Sequence, residues 1–107
     1  MTPGEIVLVN FQGARGIKRR PAVVVSTDTY NKSCPDVVLA VITTQIASAN
    51  LPTDYFWRIE GLRKESAFRA YFGTYEQNSY FPVVGKLTDR DWEEVQKRLR
   101  LAIAVSE

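Results

Sequence analysis

The chain has 107 residues, 45% of them hydrophobic and 24% charged, with a net charge of +2; that fits one domain over residues 1–107, with about 65% of the unfolded surface buried, and is remote from disordered composition. The longest apolar run, Val37 to Ile42, is far short of the ~18 residues of a membrane span, and the opening Thr2-Pro3-Gly4-Glu5 lacks a basic-then-apolar leader, so a cytoplasmic protein without a membrane partner is expected. One cysteine, Cys34, and no histidine exclude an internal disulfide, a structural zinc site, imidazole acid–base chemistry and Ser-His or Cys-His nucleophiles, and no cofactor is expected.

Glu5 to Phe11, rich in Ile and Val and bounded by Gly4 and Gly13, reads as a first strand. A basic, glycine-bearing loop follows: Arg15, Lys18, Arg19 and Arg20 lie near Gly13 and Gly16, and no acid occurs between Glu5 and Asp28. Such a loop is an electrostatic footprint for phosphate, with glycine permitting close backbone approach. Ala22 to Val25 and Val37 to Ile42 are two further strands, separated by a polar connection from Asp28 to Pro35. Asn50 to Asp54 is a second connection, leading into strands at Tyr55 to Ile59 and Ser66 to Phe72. Strands at short spacing with little helix between them predict an antiparallel sheet or small barrel.

The period changes at the end of the chain. Thr88 stands as an N-cap before Asp89 and Asp91, and Trp92, Val95, Leu99, Ala102 and Ile103 recur at spacings of three and four, which predicts an amphipathic helix to about Ala104. The fold class is therefore mainly β with a C-terminal α-helix.

No phosphate-binding glycine loop, metal-ligand spacing or tight carboxylate cluster is present, so nucleotide hydrolases and metallonucleases find no support. The remaining candidates are Arg20, before Pro21 at the mouth of the second strand, and Thr43-Thr44-Gln45 at the end of the third. An arginine fork matches phosphate oxygens and stays charged at neutral pH.

At these residues the chain resembles the MazF/PemK/Kid family of bacterial type II toxin–antitoxin ribonucleases. The resemblance rests on Gly4-Glu5-Ile6-Val7-Leu8-Val9-Asn10-Phe11, Arg19-Arg20-Pro21-Ala22-Val23-Val24-Val25-Ser26 and Ile42-Thr43-Thr44-Gln45, followed by Leu62, Ser66, Gly85-Lys86-Leu87-Thr88 and the last helix. It covers about Gly4 to Leu101. It implies a small, strongly curved antiparallel β-barrel of the MazF/CcdB plasmid-toxin type, working as a homodimer with a groove for single-stranded RNA and inhibited by an antitoxin encoded with it. The implied reaction is metal-independent, sequence-selective RNA cleavage, in which a 2′-hydroxyl attacks the adjacent phosphate to leave 2′,3′-cyclic phosphate and 5′-hydroxyl ends.

Carried over by position, Arg20 matches the family's catalytic arginine and Thr43 its catalytic threonine. Gln45 and Ser66 fall at groove-lining positions, Arg69 at a phosphate-contacting arginine of the Kid branch, and Arg15, Lys18 and Arg19 would hold the RNA backbone. Two acids of the family pattern are replaced, by Arg15 in the first loop and by Tyr71 two positions after Arg69. Tyr71, an unaligned carboxylate such as Glu65, or no protein group at all would then take the proton. A gyrase poison on the same scaffold and a nuclease-dead binder of RNA or antitoxin are the alternatives the missing acids leave open.

Overall fold

The computed structural model describes residues 1–13, 16–43, 52–57, 66–77 and 81–104. In chain order the elements are β1 (Glu5–Gly13), β2 (Gly16–Val24), α1 (Asp28–Ser33), β3 (Asp36–Thr43), β4 (Tyr55–Trp57), β5 (Ser66–Glu76), β6 (Val83–Lys86) and α2 (Asp89–Ala102). Every ladder is antiparallel, and the strands form one sheet in the order β4-β5-β3-β2-β1-β6. The expected mainly antiparallel sheet and C-terminal helix are both present. Among the described residues no ladder joins β4 to β6, so the order ends at those two strands.

Strand alternation sorts the apolar residues onto two faces. On one, Ile6, Val23, Ala40, Ile42 and Phe68 cluster with Leu87 and with Val95 of α2. On the other, Val7, Val9, Ala22, Val24, Val37 and Leu39 cluster, with Met1, Tyr75 and Phe81 packed against them. β1, β2 and β3 each contribute buried residues to both clusters, which is why their valine-rich runs show little polar alternation.

The helix α2 forms as its sequence dictates. Thr88 Oγ1 accepts from the Asp91 backbone N–H at 3.2 Å, and Asp89 and Asp91 occupy the first turn, where the helix dipole favours negative charge. Val95 is fully buried and Trp92 and Leu99 are partly so, whereas Ala102 and Ile103, expected on the same stripe, are exposed at the helix end. Tyr55 of β4 ties the helix to the sheet: its hydroxyl donates to Asp91 Oδ1 at 3.0 Å, and the Arg98 guanidinium lies 4.8 Å from its ring centroid.

Three local expectations change. Asp28 to Pro35 is not a plain connection: Thr27 caps the six-residue α1, accepting from the Tyr30 N–H at 3.2 Å. That helix buries none of its side chains and is held by polar contacts, with Gln77 Nε2 donating to the Asn31, Cys34 and Asp36 carbonyls at 2.8, 2.8 and 3.0 Å. A short strand, β6, pairs with β1 although all four of its residues are exposed. Lastly, β2 begins at Gly16 rather than Ala22, which places most of the basic segment in a strand.

Candidate active site

Backbone pairing overrides the loop-like composition of the basic segment. Gly13 pairs with Gly16, whose φ of +107° suits glycine, and the hairpin then zips Ile17 to Gln12, Lys18 to Phe11, Arg19 to Asn10 and Arg20 to Val9. Lys18 and Arg19 are exposed on this hairpin, and Arg20 is half-buried. Arg15, Gln45 and Glu65 lie outside the described residues.

Register brings three of the candidate residues together. The β2–β3 ladder ends with Ala22 paired to Val41, and Arg20 and Thr43 are the next residues of the same face just beyond that end. Thr43 in turn pairs with Ala67 of β5. Because strand side chains alternate, Arg20, Thr43 and, two residues past Ala67, Arg69 share the face of Val9 and Ala22, the one turned away from α2. Thr43 is 7% exposed, so it sits at the inner edge of this row.

Ser66 is placed elsewhere. It precedes Ala67, pairs with Trp57 and is 1% exposed, so alternation and burial set it on the α2 side with Phe68, not beside Arg20.

Arg69 sits in an irregular stretch of β5. Ile42 pairs with Phe68 and Ala40 with Phe72, so Arg69, Ala70 and Tyr71 all face Val41 alone, a bulge of the kind that re-aims side chains. Its Nε donates to Asp54 Oδ1 at 3.3 Å, and its guanidinium carbon lies 5.0 Å from the Tyr71 ring centroid. The Asp54 side chain is 3% exposed and that of Arg69 14%, whereas Tyr71 stands 57% exposed. Asp54, the last residue of a connection whose composition signals only a turn, lies on the site face. The β4–β5 register explains the pair: Tyr55 matches Phe68, so Asp54 comes opposite Arg69.

Beside this row lies a cleft of about 540 Å³ lined by Leu8, Val9, Asn10 and Arg19 from the hairpin and by Thr74, Tyr75, Glu76 and Phe81. Val9 and Tyr75 are three strands apart in the sheet order, so a shared cleft means the sheet curls strongly about this face. The Tyr75 and Phe81 rings meet edge to face at 6.1 Å, and burial pushes the Tyr75 hydroxyl pKa up. Gly73 makes room for that ring: a Cβ there would lie 2.9 Å from Tyr75 Cε1.

The arrangement offers two guanidinium groups and a hydroxyl on one curved face, next to an aromatic cleft with a polar rim. Such a set can neutralise and hydrogen-bond a phosphate diester while a neighbouring ring or polar group engages a base.

Residues 2–103 match a protein family described as PemK-like, MazF-like toxin of type II toxin–antitoxin system. Over 56 residues, 50% of this chain, the sequence is 36% identical to Endoribonuclease MazF of Staphylococcus saprophyticus, and the match spans about half (47%) of that relative. The fold is also that of an endoribonuclease solved in complex with its cognate antitoxin from a mycobacterial species, with a TM-score of 0.77, 17% identity and 99% of each chain covered. At that identity the second likeness is one of fold. The family match runs nearly the whole length of the sheet and helix, and the chain belongs to the PemK-like, MazF-like toxins of type II toxin–antitoxin systems.

Proposed function

We propose that this chain is a sequence-selective endoribonuclease toxin that cuts single-stranded RNA, chiefly messenger RNA, in the cytoplasm, without a metal ion. The observation that carries this reading is the placement of Arg20, Thr43 and Arg69 on one curved face by strand register. The names of the two similar proteins support it, since both are endoribonucleases.

In the proposed reaction the ribose 2′-oxygen forms a bond to phosphorus while the bond from phosphorus to the 5′-oxygen breaks. The proton leaves the 2′-hydroxyl and the 5′-oxygen gains one, giving 2′,3′-cyclic phosphate and 5′-hydroxyl ends. The substrate brings its own nucleophile, which suits a histidine-free chain. Arg20 stabilises charge on the phosphorane-like transition state, Thr43 hydrogen-bonds a non-bridging oxygen, and Arg69 contacts the same phosphate. Lys18 and Arg19, exposed along β2, hold the flanking backbone, and Arg15 and Gln45, which lie outside the described residues, are assigned to RNA binding by the family resemblance alone. Ser66 is left out, because it is buried on the other face.

The active form is a homodimer in which two such curved sheets, closing as small barrels, frame the RNA groove. A co-encoded antitoxin with an acidic, disordered segment occupies that groove by charge complementarity and folds on binding. The antitoxin in the fold relative's complex supports this partner.

Purified protein incubated with a long single-stranded RNA in EDTA is expected to give discrete fragments with cyclic phosphate ends. Arg20→Ala should reduce cleavage by about 10²- to 10³-fold, the usual cost of removing one transition-state donor. Intact RNA at micromolar protein would overturn the reading. The non-cutting alternatives draw on Arg15 and Tyr71 standing where acids are expected; growth arrest with intact messenger RNA and stalled gyrase would favour the poison, and retained RNA affinity without arrest the inactive binder.

A further inference from the structure

We propose that Asp54 and Tyr71 are positioning residues that clamp the Arg69 guanidinium against the scissile phosphate. The inference rests on the ribonuclease reading above and goes beyond it by giving Arg69 a fixed orientation and naming the groups that impose it.

The clamp acts in two directions. Asp54 takes the Nε edge of the guanidinium at 3.3 Å, which sets the rotation of the planar group about its long axis. Tyr71 stands against the guanidinium at 5.0 Å, within the range of a cation–π contact, and limits movement out of that plane. Exposure rises in the same order, from 3% for the Asp54 side chain through 14% for Arg69 to 57% for Tyr71. The anchor therefore lies inside, and the cation sits at the boundary where a bound anion would meet it.

Sequence position alone would not hold Arg69 there. It belongs to the bulged stretch of β5 in which three residues face Val41, so the ladder fixes its backbone less tightly than that of Arg20. Two side chains, one from the residue just before β4 and one from β5 itself, replace the missing ladder constraint. A purely structural ion pair would need no aromatic ring on its exposed side, and it would not have to share a face with Arg20 and Thr43. Tyr71 in this account contributes its ring and not its hydroxyl, which separates it from a general base.

The test is a mutant cycle on RNA cleavage, with thermal unfolding measured in parallel. Asp54→Asn keeps the shape and removes the charge; it is expected to lower kcat by about 10- to 100-fold with KM nearly constant, the scale of a misplaced catalytic group. In an Arg69→Gln background the same substitution should cost less than about twofold, because its effect passes through Arg69. Tyr71→Leu should lower kcat, and Tyr71→Phe should rescue most of that loss. Equal losses from Asp54→Asn in both backgrounds, or Tyr71→Phe as poor as Tyr71→Leu, would overturn the clamp while leaving the ribonuclease reading intact. If Asp54→Asn does not fold, the Tyr71 pair decides alone. No cleavage by the native protein would overturn the ribonuclease reading, and the clamp with it.

Discussion

On the face covered by α2, Phe68, Ile42, Val23 and Val95 meet in an apolar cluster, Ser66 is buried on the same side, and Tyr55 bonds Asp91 where the helix meets the sheet. On the opposite face the buried strip of Val7, Val9, Ala22, Val24, Val37 and Leu39 runs directly into Arg20, Thr43, Arg69 and Asp54. One sheet thus carries two different environments back to back. A helix laid over one face supplies apolar burial that a chain of this size needs, and the other face can then hold charged groups, Arg20 partly exposed and the buried Asp54 compensated by its ion pair with Arg69. Stability and the proposed anion binding are separable because alternate residues of the same strands would serve them.

That separation can be broken most directly at Phe68. It is fully buried against α2, and Phe68→Ala should lower unfolding free energy by about 3–5 kcal/mol, read by urea or thermal denaturation. The adjacent Ala67 lies in the Thr43 row, one residue away and on the other face. Arg20→Ala, which should all but abolish cleavage, is expected to move the unfolding free energy by less than about 0.5 kcal/mol. A large loss of stability from Arg20→Ala would show that the two faces do not divide the work.

The contrast also explains what the sequence makes legible. The helix face is easy to read, because Thr88 caps and Trp92, Val95 and Leu99 repeat at helical spacing, all signals that lie within one segment. The core strands are equally plain as runs of Val and Ile. Arg20 and Thr43 are visible because each stands at the end of such a run. What escapes is set by pairing between segments. The hairpin turns Lys18 to Arg20 from a basic loop into strand, and Asp54 meets Arg69 only because Tyr55 pairs with Phe68. Ser66 looks like a groove residue until alternation turns it inward. α1 and β6 bury nothing of their own, so neither shows the apolar periodicity by which elements are recognised.

A smaller effect comes from the two helix caps. Thr88→Ala removes the acceptor for the Asp91 N–H and should cost about 1 kcal/mol of global stability, because α2 is locked into the core by Val95. Thr27→Ala removes the matching bond at α1, which buries no side chain, so its effect should fall mainly on local opening. Hydrogen exchange separates the outcomes: faster exchange across α2 and the whole sheet in the first variant, and at Tyr30 and Asn31 in the second.

The finest comparison uses pH, since each face holds a tyrosine whose pKa lies above the usual value of 10.0. Burial raises Tyr55 first, with its hydrogen bond to Asp91 and the charges of Asp91 and Glu94 adding to the shift, while burial alone raises Tyr75. A raised pKa means the folded state holds its proton more tightly than the unfolded chain does. The resulting stabilisation is complete below about pH 10 and is lost as pH rises through the folded-state values. The stability of the native protein should therefore fall above about pH 10, and Tyr55→Phe and Tyr75→Phe should each flatten part of that fall. Tyr55→Phe also deletes the bond to Asp91, so it should lower stability at neutral pH by about 1 kcal/mol. If its neutral-pH loss were accompanied by an unchanged alkaline slope, the bond would be stabilising without retaining the tyrosine proton, and the electrostatic tie between α2 and β4 would be wrong.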